Sequence, residues 1–162
     1  MQEFGGATFR VAFFLFQGIK TRMIKQFVYP IISYDVLDGD SVKILMDRGF
    51  QETKRLSVRV VGIDSPETRT RNLLEKRAGK LVTSVATQWM APISTPMFHS
   101  QRRDKYAGRG IGDLYDADFP DDTLSKYLLS VDVVEAYDGG KKKKWSNRRL
   151  REIIKNCLAM LG

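Results

Sequence analysis

The chain holds 162 residues, 43% of them hydrophobic, and carries 27 Lys and Arg against 19 Asp and Glu for a net charge of +8. That length supports one compact domain with its own core and argues against a second. The positive excess points to a polyanionic partner, either nucleic acid or an acidic membrane surface. A single cysteine, Cys157, excludes an intramolecular disulfide, and a single histidine, His99, leaves too few soft ligands for zinc or an iron–sulfur cluster, so any metal would be held by oxygen.

Residues 1–22 stand apart as an accessory or disordered leader. The stretch TFRVAFFLFQGIKTR is the one membrane-like signal, but its apolar core, Val11 to Phe16, is too short to span a bilayer. Glu3 sits where a signal peptide is basic, and no small-residue cleavage site follows. A vestigial signal or anchor and a misassigned upstream start are the competing readings. The domain proper is assigned to residues 23–162.

From Met23 the pattern is sheet: QFVYPIISYDV, SVKILM and TKRLSVRVVGID, separated by the turn-forming LDGD and DRGFQE, predict a three-stranded meander. In RNLLEKRAGKLVTSVATQWM, Leu74, Ala78, Leu81, Val85 and Trp89 recur at helical spacing and predict an amphipathic helix. Strands are expected around STPMFHS and GRGIGDLYDAD. A second helix follows, with Leu124, Tyr127, Leu128 and Val131 on one face and Asp121 or Asp122 as its cap. A last helix presents Leu150, Ile153, Ile154, Cys157, Leu158 and Leu161 as an apolar stripe, with Arg148, Arg149, Arg151 and Lys155 off it. Three strands, a helix, two strands and then helices fit a mixed α+β domain, mainly β, built on a closed five-stranded barrel with three packed helices.

Negative charge in this basic chain concentrates at VLDGDSVKI, residues 36–44, where Asp38 and Asp40 flank a glycine. Residues two apart in a strand share a side, and two close carboxylates repel unless a cation joins them. An EF-hand loop is excluded, because counting from Asp38 puts Val42, Lys43 and Gly49 where an oxygen ligand, the turn glycine and a glutamate belong. Taken alone, DGD reads as an ordinary Asx turn. SVRVVGIDSPET, residues 57–68, changes the balance by bringing Arg59, Asp64 and Glu67 to the end of an apolar strand. Strict alternation would point Arg59 and Asp64 to opposite faces, and a bulge at Gly62 is expected to turn both toward one pocket. Pro66 then stops the strand beside Glu67 and the Ser65 carbonyl, and such oxygens suit calcium. The bland alternative is a salt-bridged strand end. A third cluster, RRDKYAGRGIGDLY, sets Lys105, Tyr106 and Arg109 among glycines that let a backbone approach a ligand closely.

VLDGDSVKI, VRVVGIDSPET and DKYAGRG, in this order and with an amphipathic helix among them, resemble the staphylococcal nuclease (thermonuclease) family across residues 27–137. The resemblance implies an OB-fold barrel and a calcium-dependent phosphodiesterase that cuts DNA and RNA to 3′-phosphate and 5′-hydroxyl ends. It implies Asp40, Asp64 and the Ser65 carbonyl as Ca2+ ligands, with Asp38 supporting them from behind. Arg59, Glu67 and Arg109 fall at the family's catalytic positions, and Lys105, Tyr106 and Tyr137 where members contact nucleotide phosphate or sugar. Two departures stand out. Ala107 is inserted in KYAGRG, where the family commonly reads Lys-Tyr-Gly-Arg, and Arg109 is expected to keep its place with the extra residue absorbed at Gly108. Serine replaces threonine at Ser41 and Ser65. The basic RTRNLLEKR after Glu67 favours a nucleic-acid strand crossing there.

The lysines of DGGKKKKWSNRR, residues 138–149, read first as a solvated loop and second as a phosphate-tracking patch, with Trp145 or Tyr137 offering a stacking face. Trp145 serves equally as the hydrophobic lead-in to the last helix, and His99 reads as an ordinary strand residue. The expectation is therefore a monomeric calcium-dependent nuclease acting mostly on single-stranded or frayed DNA and RNA, cytoplasmic rather than secreted and without stable membrane association. The competing class is a catalytically silent OB-fold module that binds nucleic acid, and a third, a basic peripheral membrane protein, rests on charge and the leader alone.

Overall fold

The computed structural model describes residues 27–103, 108–140, 142 and 144–162. The leader, Lys105, Tyr106 and the inserted Ala107 lie outside the described residues.

The meander forms as expected. Strand β1 (Val28–Asp38) pairs antiparallel with β2 (Ser41–Asp47), which pairs antiparallel with β3 (Thr53–Val60). Alternation decides which face is buried: Val42, Ile44 and Met46 of β2 and Val58 and Val60 of β3 point into the core, while Ser57 and Arg59 lie on the other face and stay partly exposed. Strands β5 (Pro96–Arg103) and β6 (Arg109–Asp116) form an antiparallel pair; β5 joins β1, and β6 closes back on β3 in parallel. The result is a closed five-stranded mixed barrel with three helices, an OB-fold-like arrangement. Closure removes the free edges that an open sheet would leave on β3 and β6.

Three short strands complete the topology. One is β4 (Ile63–Asp64), set off from β3 by a turn at Gly62, whose φ of +79° lies in the left-handed region that glycine adopts without a Cβ clash. The others are β7 (Phe119–Thr123), on the outer edge of β6, and β8 (Glu135–Ala136), which pairs with β4. Asp121 and Asp122 therefore lie in β7, and the expected aspartate cap is corrected to Thr123, whose hydroxyl accepts from the Lys126 amide to start helix α2 (Leu124–Ser130). Buried Asp113 of β6 holds the same helix start by accepting from both the amide and the hydroxyl of Ser125.

Helix α1 (Leu73–Met90) begins at Asn72, whose side chain accepts from the amides of Leu74 at 3.0 Å and Glu75 at 3.3 Å. Its buried row is Ala78, Val82, Val85, Ala86 and Met90; Leu74, Leu81 and Trp89 flank that row, so the apolar face is turned slightly from the expected one. Small residues dominate because the helix lies close against β1 and against helix α3 (Asn147–Leu161). In α3, Leu150, Ile153, Ile154 and Cys157 are buried, whereas Leu158 and Leu161 emerge at the final turn, where the expected stripe outruns the barrel. Trp145 packs against the core just before α3, as a lead-in residue does. Among the described residues no helix is long and apolar enough to cross a membrane.

Burial pushes the Cys157 thiol up to about 11. A raised thiol favours the neutral form in the folded chain, so its contribution to stability is complete below the ordinary thiol range and is lost as pH rises toward 11. At pH 8 a disulfide exchange reagent such as Ellman's should leave the native chain unmodified and titrate a single thiol after denaturation. Rapid labelling of the native chain would mean that α3 does not pack as described.

Candidate functional site: an acid cluster on the barrel rim

The site is assembled from turns at one rim of the barrel. Asp38 faces Ser41 across β1 and β2, Ser41 faces Arg59 across β2 and β3, and Arg59 faces Ile111 across β3 and β6. Register thus carries one row of positions around the rim. Asp40 follows in the β1–β2 turn, Asp64 ends β4, and Ser65, Pro66 and Glu67 run on toward α1. Two glycines make this convergence sterically possible. A Cβ at Gly39 would stand 2.4 Å from Val82 Cγ1 and 3.0 Å from Ser65 Cβ, and a Cβ at Gly79 would stand 2.6 Å from the Pro66 carbonyl oxygen. The first lets the acidic turn press against α1, and the second lets the Pro66–Glu67 loop lie directly on it.

Asp40 and Asp64 are each 5% exposed, and the same guanidinium nitrogen serves both: Arg59 Nη2 lies 3.1 Å from Asp40 Oδ2 and 3.2 Å from Asp64 Oδ1. Asp40 also accepts from the Ser65 amide at 3.3 Å and from the Ser41 hydroxyl at 3.0 Å. Burial raises the Asp40 carboxyl above its ordinary range, while Arg59 and Lys142 pull in the other direction. Lys142 is the second cation, its ammonium 2.8 Å from Asp64 Oδ1 and 3.1 Å from Glu67 Oε1. Burial works against the charge on Lys142, but its bonds to Asp64 and Glu67 outweigh that and raise its pKa.

Arg59 and Asp64 are turned toward each other, as expected at Gly62, although the device is a turn between two strands and not a bulge within one. Glu67 is half-exposed at the edge of the cluster, and its amide approaches Glu75 of α1. Asp38 accepts from the Thr68 hydroxyl, tying the acidic turn to the loop that follows Glu67. Arg109 faces Ser57 in the parallel β3–β6 pairing, two positions along from the Arg59–Ile111 pair, which puts Arg109 and Arg59 on the same face of the sheet. The Tyr137 ring covers Arg59, its centroid 5.6 Å from the guanidinium carbon, and its amide donates to the Gly62 carbonyl at 2.9 Å. Lys105 and Tyr106 fall outside the described residues.

Sequence reasoning missed three contributors. The sequence reads Lys142 with its neighbours as loop or patch, and nothing in a run of lysines marks Lys142 as turning toward the acids. Thr68 carried no signal beyond its place in the loop. Arg149 was placed off the apolar stripe, which it is, yet it forms a bidentate pair with Asp132, at 3.0 and 2.7 Å, and binds Glu135 at 2.6 Å. That clamp fixes β8, and so Tyr137, beside the cluster.

Among the described residues no three His, Cys, Asp or Glu side chains converge closely enough to hold a metal by themselves. A cation here would draw on the two buried carboxylates, main-chain oxygen such as the Ser65 carbonyl, and water. Those are hard oxygen donors with the flexible geometry that calcium accepts. Chemically, the rim combines carboxylates able to hold a cation or take a proton with planar cations able to bind phosphate oxygens. No protein-family model matches this chain, and no curated protein matches it.

Largely buried Arg59 compensates two buried carboxylates, so removing it should cost more than a surface contact would. Arg59→Met is expected to lower unfolding free energy by about 3 kcal/mol, measured by urea denaturation. Adding Asp40→Asn in the same chain should restore part of that loss, because one uncompensated charge is gone. If Arg59→Met proves neutral, the shared guanidinium does not hold the rim together.

Proposed function

We propose that this chain is a calcium-dependent phosphodiesterase of nucleic acids, a staphylococcal-nuclease-like hydrolase that acts on DNA and RNA, preferentially where they are single-stranded or frayed. The observation that carries the reading is the convergence of buried Asp40 and Asp64 on Arg59, with Glu67 at the cluster's edge and Arg109 on the same sheet face. A salt-bridged strand end accounts for any one of these residues and less readily for all of them together. The overall charge of +8 and the exposed bases after Glu67 support a polyanionic substrate.

On this reading Asp40, Asp64 and the Ser65 carbonyl would hold the calcium ion, with Asp38 bracing the turn through Thr68. The ion, when bound, offsets charge on the scissile phosphate. Glu67 Oε accepts a proton from the attacking water, for which its half-exposed position beside the buried acids is suited. Arg59 and Arg109 donate to the phosphoryl oxygens as negative charge builds there, a task for planar guanidinium forks that lysine performs poorly. As the water oxygen bonds to phosphorus, the bond from phosphorus to the 5′ oxygen breaks and that oxygen takes a proton from solvent, leaving 3′-phosphate and 5′-hydroxyl ends. Tyr137 offers its ring and hydroxyl edge to a sugar or base next to the phosphate, and Lys105 and Tyr106 are proposed to contact the same nucleotide.

A second reading, a catalytically silent OB-fold module that binds nucleic acid, is favoured by one observation: Lys142 already neutralises Asp64 and Glu67. Digestion of labelled single-stranded DNA and RNA with calcium and with chelator separates the two. The nuclease reading expects calcium-dependent cleavage ending in 3′-phosphates, reduced about 100-fold or more in Glu67→Gln and in Arg109→Lys. A gel shift without cleavage in calcium would instead establish the silent module.

A further inference from the structure

Lys142 sits in the connection between β8 and α3, just after Gly139, at φ +99°, and Gly140. Tyr137 braces this turn by donating its hydroxyl to the Gly140 carbonyl at 2.7 Å. The Lys142 side chain is 41% exposed along its length, yet its ammonium reaches Asp64 Oδ1, the same oxygen that accepts from Arg59 Nη2 at 3.2 Å. One carboxylate oxygen therefore receives two cations, and the second also holds Glu67.

A calcium ion coordinated at about 2.4 Å by that oxygen and an ammonium hydrogen-bonded to it would be like charges a few ångströms apart. The two compete for one place. Arg59 comes from a barrel strand and is covered by Tyr137, so it stays. Lys142, on a flexible stem with an exposed approach, leaves by rotating its own bonds. It has a destination in any phosphate lying along the rim.

We infer that Lys142 is the resident counter-cation of the acid cluster, that it must vacate Asp64 and Glu67 for calcium to bind, and that a nucleic-acid strand draws it away. This rests on the calcium-dependent reading above. Calcium and the strand then strengthen each other's binding, and by linkage the factor is the same in either direction. Lys142 is on this account a positioning and gating residue.

The test is calcium binding by titration calorimetry to the full chain, alone and with a short phosphorothioate single strand, in wild type, Lys142→Gln and Lys144→Gln. The last removes the same charge from an exposed neighbour, and thermal melting checks that each variant folds. Lys142→Gln should bind calcium about three- to tenfold tighter than wild type, Lys144→Gln should match wild type, and the strand should tighten calcium more in wild type than in Lys142→Gln. Equal calcium affinity in wild type and Lys142→Gln would overturn the inference while leaving the nuclease reading standing. An equal effect of the strand on both chains would overturn the coupling. Absence of calcium binding in every chain would remove the calcium reading itself, and the inference with it.

Discussion

One guanidinium nitrogen held between two buried carboxylates is the contact on which the rim depends. Asp40 and Asp64 come from different turns, and without a shared cation each would be a charge removed from water beside another of the same sign. Arg59 can serve both because barrel closure fixes its strand on two sides, against β2 and against β6. The pairing has no slack: a slip of one residue would turn Arg59 into the apolar interior and bring Val58 or Val60 to the surface. Packing of the core and placement of the charge are thus one constraint. Gly39 and Gly79 let backbone close in beside the cluster, and Gly62 supplies the left-handed turn that brings Asp64 back to Arg59.

A second clamp supports the first from outside the barrel. Arg149 of α3 is held between Asp132 and Glu135 and also donates to the Val134 carbonyl. Burial opposes its charge, but the bonds to the two acids outweigh that and raise its pKa. Exposed ion pairs contribute little singly, whereas a planar fork engaging several acceptors on a short segment fixes geometry. The segment fixed is the one that leads through β8 to Tyr137 and the Lys142 turn. The last helix, which by its apolar stripe looks like core alone, therefore reaches the acid cluster through a single off-stripe residue.

Much of this is legible in the amino-acid sequence. SVKILM and TKRLSVRV alternate cleanly, so strands and buried faces follow; Arg59 and Asp64 stand out because charge at the end of an apolar strand demands a partner, whereas Asp40 by itself reads as part of an ordinary turn. The errors have physical causes. Asp121 and Asp122 are good capping residues, but β7 continues through them to pair with β6, and the cap passes to Thr123. Leu158 and Leu161 keep the helical period after the barrel surface has ended. β8 escaped notice because two residues carry no periodicity, and its existence depends on β4 being set off by the Gly62 turn. Lys142 escapes because the inward turn of its side chain is decided by where Asp64 and Glu67 lie in space, and spacing along the chain does not contain that.

The cluster also explains why a chain with a surplus of positive charge gathers acids at one point. Counted together, Asp40, Asp64 and Glu67 against Arg59 and Lys142 leave these five residues one negative charge, in the field of a molecule of net charge +8. A phosphate strand approaching this molecule is drawn by the whole surface but repelled locally by the acids. A divalent cation is favoured locally but repelled by the whole. Neither partner is fully matched alone, and each supplies the charge that the other lacks. On the proposed reading, that mismatch gives the site its logic: the ion makes the acids acceptable to phosphate, and the strand removes the lysine that stands in for the ion. A rim of carboxylates alone would hold the cation more firmly while repelling the polyanion, and a rim of bases alone would bind the polyanion with nothing to activate water. On the same reading, an Arg59 held by its strand and a Lys142 that swings aside would let one small cluster pass between these two states without any movement of the barrel.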